Sequence, residues 1–183
     1  MWDGISQFPG TESLPRALRL QWALNIENLV DRYKLQKETL NKITTLFREQ
    51  SASVTAMKGI SLSNYYPIPA HREFGDIDFY LGENFELGNK LLLANGALKV
   101  PGEHNSDKHS VFILNNVMLE NHRTLNNNDK IGRLAEQQAK EWDYETRPSP
   151  DGFNIFSPRM NALFLLNHAA SHFRRNDITI RHL

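Results

Sequence analysis

The chain has 183 residues, of which 40% are hydrophobic and 23% are charged, as in ordinary soluble globular proteins, and this length suffices to bury a core. Its 21 basic and 21 acidic residues give a formal net charge of zero, which disfavours a dedicated nucleic-acid binder but leaves a local basic patch open. The absence of cysteine excludes disulfides and thiolate metal sites, and it fits a reducing compartment.

Targeting signals are not evident in the sequence. No apolar run approaches the roughly 18 residues that span a bilayer, and the N-terminus lacks the basic and apolar regions of a secretory signal. We therefore expect a cytoplasmic protein with no membrane partner. We expect an N-terminal helical segment over 1–50, a core over 51–127 and a C-terminal helical segment over 128–183. The last segment ends without an obvious closing element, and it is interpreted either as truncated or as a natural chain that lacks a partner segment.

Two helices are predicted before the core. In the first, over 14–33, apolar residues recur at steps of three and four, which indicates one buried face, and Ser13 is its predicted start. The face consists of Leu18, Trp22, Ile26, Leu29 and Tyr33. The second helix is predicted over 37–49. Neither pattern carries chemistry, so both helices are expected to pack against the core.

The core begins with a change of pattern. "SVTAM" predicts a short strand, "KGISLSNYY" a turn that opens a short helix, and "PIPAHREFG" a loop. Tyr65 and Tyr66, directly before this loop and beside its first proline, are expected to pack against the loop rather than to stack on a base. "DIDFYL" alternates polar and apolar residues as a strand does, with Asp76 and Asp78 on one face.

The second half of the core predicts a helix and three strands. "NFELGNKLLLANG" indicates a helix ended by Gly96, and "LKVPG" a brief edge strand. "HSVFIL" and "VMLENHRTL" predict a hairpin joined by Asn115 and Asn116, since asparagine tolerates a positive φ. This order of elements predicts an α/β or α+β class with a mixed sheet.

Two helices are predicted in the C-terminal segment. The first covers 129–142 and the second lies in "SPRMNALFLLNHAASHF", with Ser157 as cap and Pro158 at the first position. One side of the first helix is expected to be formed by Ile131, Leu134, Gln138 and Trp142. "RPSPDG" between the two helices predicts a loop. A small basic cluster follows the last helix and is expected to be a solvated helix end: Arg174, Arg175, Arg181 and His182.

Three acidic residues form the candidate metal site. Asp76 and Asp78, at i and i+2 on a strand, project their oxygens the same way, as a hard cation such as Mg²⁺ requires. A third acid should lie on a neighbouring strand, and Glu120, on the same strand face as His122, is the candidate. Asp-x-Asp also arises by chance on surface strands, so this motif alone leaves both interpretations open.

A family resemblance adds to this interpretation. The ordered combination "MKGISLSNYYP…R…GDIDFYL", "HSVFILNNVMLENH" and "FSPRMNALFLLNHAASH" resembles uncharacterised nucleotidyltransferases of the polymerase-β-like superfamily, over about Val54 to Phe173. Those proteins have a lysine-glycine turn after the first strand, Gly-Asp-x-Asp after a proline-containing loop, a Glu-x-His strand and a His-x-x-x-His helix. The resemblance implies a nucleotidyltransferase-like mixed sheet flanked by helices.

The resemblance also implies the roles of the acids. Asp76, Asp78 and Glu120 would be catalytic and would ligate one or two Mg²⁺ ions, and Glu120 would also accept the proton of the attacking hydroxyl. Replacing both aspartates by asparagine is then expected to abolish Mg²⁺-dependent nucleotide binding while the fold stays intact, since repelling carboxylates lose nothing without their ion.

Four further residues are implied in nucleotide binding. Gly59 and Ser61 would belong to the turn and helix N-terminus that receive the phosphates, and Lys58 would add a cation. The superfamily usually has Gly-Ser where this sequence has Lys58-Gly59. Arg72 is expected to pair either with a phosphate or with one of the aspartates.

The histidines leave several interpretations open. His168 and His172, at i and i+4, share a helical face and could bind zinc, pack against the sheet or line the acceptor pocket. The glutamate of His-Glu-x-x-His is missing, which disfavours zinc. His122 is expected to hydrogen-bond to the Glu120 carboxylate and to border the acceptor pocket.

The function implied by the resemblance is transfer of a nucleoside monophosphate from a nucleoside triphosphate, such as ATP, to a hydroxyl of a small molecule or a protein. The alternatives are a degenerate, non-catalytic nucleotide- or partner-binding module and an antitoxin-like nucleotidyltransferase acting on a partner protein or RNA. The sequence indicates neither the base, nor the acceptor, nor the oligomeric state.

Overall fold

A computed structural model describes residues 9–101, 108–125 and 129–174. The predicted basic cluster therefore lies outside the described residues except for Arg174. The helices are α1 (Arg16–Arg48), α2 (Lys58–Ser63), α3 (Phe85–Ala94), α4 (Lys130–Glu141) and α5 (Pro158–Arg174). The strands are β1 (Thr55–Met57), β2 (Asp76–Tyr80), β3 (Leu98–Lys99), β4 (His109–Leu114), β5 (Val117–His122), β6 (Thr146–Pro148) and β7 (Asn154–Phe156).

The strands in the described part of the chain form one mixed sheet in the order β3-β4-β5-β2-β1-β7-β6. The pairs β2·β5 and β1·β7 are parallel, and the other neighbouring pairs are antiparallel. Strand β2, which carries the two aspartates, is central. The predicted mixed sheet flanked by helices is confirmed.

Each face of the sheet has its own hydrophobic cluster. The larger cluster joins Leu40, Ile43 and Phe47 of α1 to Ile77 and Phe79 of β2. On the other face, a smaller cluster joins the sheet to helices α4 and α5; its buried members are Met57, Leu125, Ala139, Phe156, Met160 and Phe164. Asp76 and Asp78 alternate with Ile77 and Phe79, so they project from the face that α4 and α5 cover.

The two predicted N-terminal helices are one continuous helix of 33 residues. No glycine or proline separates the two predicted helices, and the intervening Lys34, Leu35 and Gln36 are compatible with a helix, which explains the difference. Only its second half is well buried, whereas the predicted face from Leu18 to Tyr33 is partly buried. The helix starts at Arg16, and Ser13 does not cap it but donates to the Gly10 carbonyl.

The C-terminal segment differs in two respects from prediction. Helix α4 buries Gly132, Ala135 and Ala139, while Ile131 and Leu134 are exposed, because small residues on the inner face let α4 and α5 pack together. The predicted loop is confirmed over 149–152, but Arg147 and Pro148 at its start belong to β6, which pairs with β7, and β7 joins the sheet beside β1. Strands β6 and β7 of this segment therefore belong to the same sheet as the strands of the core.

Other local predictions are confirmed. Asn115 and Asn116 have φ values of 52° and 61° and join β4 to β5 in a hairpin. The Ser157 hydroxyl accepts from the Met160 N–H at the start of α5, although at 3.4 Å. No described helix is long and apolar enough to cross a membrane.

Candidate active site

The candidate site lies where β1, β2 and β5 meet. In the parallel pair β2·β5, Asp78 is the register partner of Glu120 and Tyr80 is the partner of His122. In the antiparallel pair β1·β2, Met57 is the partner of Asp78, so Lys58 follows directly beside it. The sheet thus brings together groups that are far apart in the sequence.

Asp78 is the centre of the site. Its side chain is 1% exposed, and its Oδ1 accepts from Lys58 Nζ at 2.7 Å and from His122 Nε2 at 2.8 Å. His122 Nε2 also lies 3.4 Å from Glu120 Oε2. The buried carboxylate therefore has two charged or chargeable partners, as burial of an ionised group requires.

These contacts shift the pKa values of the three partners. Burial alone would raise the pKa of Asp78, but the Lys58 ammonium and the His122 hydrogen bond hold it well below its usual range. Burial opposes the charged forms of Lys58 and His122, yet the carboxylates raise the pKa of both groups. The charged form of Asp78 is stable at neutral pH.

Asp76 titrates differently. Burial, together with repulsion from Asp78 and Glu120, raises its pKa to about 6. The Lys58 charge lowers that pKa, but by less than burial and repulsion raise it. Three carboxylates thus share a partly buried site, in which Asp78 and Glu120 destabilise the ionised form of Asp76.

The turn from β1 into α2 is held by internal contacts. Lys58 has a φ of 43°, in the left-handed region that favours glycine. A Cβ on Gly59 would lie 2.7 Å from Cδ2 of the Phe74 ring, so only glycine fits there. Ser61 is buried and its hydroxyl donates to the Lys58 carbonyl at 3.1 Å. In the structure Gly59 and Ser61 support the conformation of the turn.

Arg72 connects this turn to the loop that follows α2. Its Nη1 donates to the Gly59 carbonyl at 3.0 Å, and its guanidinium lies over the rings of Tyr66 and Phe74. Tyr65 and Tyr66 are 54% and 48% exposed, so the expectation that both pack in the loop is wrong. Neighbouring arginines cover their rings only in part.

His168 and His172 form a pair on α5. Their Nε2 atoms lie 3.1 Å apart, so one imidazole donates to the other. His168 stacks on Phe164, and Lys58 Nζ lies 5.8 Å from the centre of the Phe164 ring. Helix α5 therefore approaches the site at Lys58, with the histidine pair one to two turns further along the helix.

Comparison with known proteins identifies the family. A family model described as "Uncharacterised nucleotidyltransferase" matches residues 1–183. The chain belongs to this family. The resemblance inferred from the motifs is confirmed, and the protein is a nucleotidyltransferase.

Solved structures show the same fold. A protein of Thermotoga maritima described provisionally as a nucleotidyltransferase is similar at 12% identity, with a TM-score of 0.52, over 76% of this chain and 88% of its own. The structure of ANT(2'')-Ia in complex with adenylyl-2''-tobramycin is similar at 12% identity, with a TM-score of 0.57, over 80% of this chain and 83% of its own. A comparison with curated proteins gave no match.

The nucleotidyltransferase site offers ligands for a cation. Ligand atoms of Asp78, Glu120 and His122 lie within 4.8 Å of one another, the one such group of three in the parts of the chain described; Asp76 is outside it. Two carboxylate oxygens suit a hard divalent ion, and such an ion would relieve the repulsion that raises the pKa of Asp76. The residues present therefore fit a divalent cation.

Sequence reasoning missed two features of this nucleotidyltransferase. One is the ion pair of Lys58 with Asp78, which depends on the pairing of β1 with β2. The other is His109, the register partner of His122, whose ring lies 5.3 Å from it. The hairpin turn at Asn115 and Asn116 fixes this register, so counting back from the turn would have found His109.

Proposed function

We propose that this nucleotidyltransferase transfers a nucleoside monophosphate from a nucleoside triphosphate to a hydroxyl of a small molecule or a protein, in a Mg²⁺-dependent reaction. The observation that carries the proposal is the register pairing of Asp78 with Glu120 across the parallel strands β2 and β5. This pairing puts two carboxylates on adjacent strands of one sheet face, beside the ammonium of Lys58.

Asp76, Asp78 and Glu120 would hold the metal. When bound, Mg²⁺ would supply positive charge that stabilises the negative charge on the α-phosphate oxygens and on the leaving pyrophosphate. Asp76 would contribute its carboxylate once the ion offsets the repulsion from its neighbours.

Three residues of the chain have further roles in the proposed reaction. The acceptor oxygen attacks the α-phosphorus, the bond from that phosphorus to the pyrophosphate oxygen breaks, and Glu120 takes the hydroxyl proton. Lys58 would move from Asp78 to the triphosphate as nucleotide and metal arrive, because its ammonium suits either anion. His122 orients Asp78 and Glu120 through its Nε2 atom, which lies within 3.4 Å of both carboxylates.

A thermal-shift titration with ATP, GTP, CTP and UTP, each with and without Mg²⁺, tests the proposal. A ligand that binds only the folded state raises the melting temperature by mass action, so the acceptor need not be known. We expect one triphosphate to stabilise the protein only when Mg²⁺ is present. No shift with any of the four would overturn the proposal.

A matched pair of variants makes this experiment specific. Glu120→Gln removes a proposed metal ligand and should abolish the Mg²⁺-dependent shift. Glu86→Gln is the control, because Glu86 is exposed and pairs with Arg123 outside the site. If both variants keep the shift, Glu120 is not a ligand of the metal that supports nucleotide binding.

A further inference from the structure

An apolar row extends from the candidate acids to the edge of the sheet. Asp76 is the register partner of Met118 in β5, Met118 is the partner of Ile113 in β4, and Ile113 is the partner of Leu98 in β3. Because register partners on neighbouring strands project from the same face, these four side chains form one line across the sheet. We call Met118, Ile113 and Leu98 the apolar row.

The apolar row is open to solvent. Met118 and Ile113 are each 39% exposed and Leu98 is 70% exposed. One step further along the same face, Val111, the partner of Glu120, is only 1% exposed. Large apolar side chains at three neighbouring exposed positions are unusual on a solvated sheet face, where polar residues are expected. Such a patch, continuous with a polar site, is typical of a ligand surface.

The charges of the site decide which substrate lies on the apolar row. Lys58 lies on the β1 side of Asp78, whereas Glu120 and the row lie on the β5 side. The anionic triphosphate is attracted to the side of the ammonium. The opposite side is then left for the acceptor, where Glu120 could take its proton and the row could contact the rest of the molecule.

We propose that the acceptor is an amphipathic alcohol: a molecule whose hydroxyl reaches the acids and whose apolar body lies along Met118, Ile113 and Leu98. This inference rests on the proposed function and names the acceptor class for it. From Asp76 to Leu98 the row crosses three strand spacings, about 14 Å at roughly 4.8 Å each, which is the length of a medium alkyl chain or a few fused rings.

The direction of the row favours a small molecule over a peptide. The row runs across the strands, whereas a peptide added to the β3 edge would run parallel to them. A hydroxyl on such a peptide would stay beyond β3, at least about 14 Å from Asp76.

The test is a methyl-NMR titration of the full chain with hexyl, heptyl and octyl β-D-glucoside below their micelle concentrations. We expect the methyl signals of Met118, Ile113 and Leu98 to shift, with affinity rising about threefold to fourfold for each added methylene. The double variant Leu98→Thr/Ile113→Thr, which keeps strand-compatible side chains, should bind octyl glucoside at least about tenfold more weakly. Leu93→Thr is the control, because Leu93 is 49% exposed on α3, which packs on the opposite sheet face.

Other outcomes overturn the inference. One is an affinity that does not change with the length of the alkyl chain. Another is a set of equally large shifts at exposed residues outside the row, such as Leu134 and Leu166. A third is a shift of the row signals that depends on protein concentration in the absence of the glucoside. The last would mean that a second copy covers the row. Nucleotide binding with Mg²⁺, measured on the same samples, separates the two proposals: its presence without glucoside binding refutes only the acceptor class, and its absence refutes the proposed function.

Discussion

Lys58 Nζ and Asp78 Oδ1 lie 2.7 Å apart in an ion pair in which the Asp78 side chain is almost fully buried and the Lys58 side chain is 22% exposed. The turn that places Lys58 there has a left-handed backbone at a residue other than glycine, which costs about 1 kcal/mol. The ion pair therefore keeps the carboxylate charged in the absence of metal, at some cost in backbone strain.

Replacing Lys58 by methionine should lower the free energy of unfolding by about 2–4 kcal/mol, because it leaves the buried charge of Asp78 with His122 as its remaining partner. Mg²⁺ should restore part of this loss, since a divalent ion can take the place of the ammonium. Urea unfolding with and without Mg²⁺ measures both effects.

Lys37→Met is the matched control for this prediction. Lys37 pairs with Asp151 at 2.8 Å, but its side chain is 35% exposed and this pair is not part of the candidate site. We expect Lys37→Met to lower the free energy of unfolding by at most about 1 kcal/mol, and we expect Mg²⁺ not to restore this loss. Equal losses in the two variants would contradict a special role for the Lys58 pair.

Asp76 and Asp78 should respond oppositely to substitution by asparagine. The pKa of Asp76 is raised from 3.8 to about 6, so the folded state favours its neutral form, and its contribution to stability is lost as the pH rises through 6. Asp76→Asn should therefore raise the free energy of unfolding by about 1–3 kcal/mol at pH 8 without metal, and the gain should vanish below pH 4.

Asp78→Asn should instead destabilise the protein by about 3 kcal/mol at neutral pH, since it leaves Lys58 without its main counter-ion. The pKa of Asp78 is lowered, so its stabilising contribution is present above the unfolded value of 3.8 and is lost as the pH falls through the lower folded value. Because the two effects are opposite in sign, they should partly cancel in the double variant, for which we expect an intact fold. Unfolding curves of the two single variants from pH 4 to 8 measure both changes in the free energy of unfolding. Changes of the same sign at pH 8 would refute the prediction.

Gly59 and Gly75 should tolerate alanine very differently. A Cβ at Gly59 would meet the Phe74 ring at 2.7 Å, so Gly59→Ala should cost about 1–3 kcal/mol in the free energy of unfolding. Around Gly75 nothing lies within 4 Å of the added Cβ, so Gly75→Ala should change that free energy by no more than about 0.5 kcal/mol. Urea unfolding of both variants measures the two changes. An unchanged free energy of unfolding for Gly59→Ala would contradict the prediction and show that the Phe74 ring moves freely.

Local patterns were sufficient to predict most elements and the face on which the aspartates of β2 lie. The alternation in "DIDFYL" placed Asp76 and Asp78 on one strand face, and Asn115 with Asn116 identified the hairpin. Both features depend on the backbone preferences of a few adjacent residues, which a sequence displays directly. The continuity of helix α1 was missed because the pattern of apolar residues changes near residue 34 although the helix does not end there. The strand pair β6·β7 was missed because tertiary pairing with β1 stabilises it.

The sequence by itself determined which residues could form a site: a pair of aspartates, a glutamate on a later strand and a lysine-glycine turn. Only the tertiary structure decided their contacts, because the sheet order places β1 and β5 on either side of β2. That order puts Lys58, 20 residues away, and His122, 44 residues away, on the same oxygen of Asp78. Strand order depends on long-range pairing, and no local periodicity encodes it.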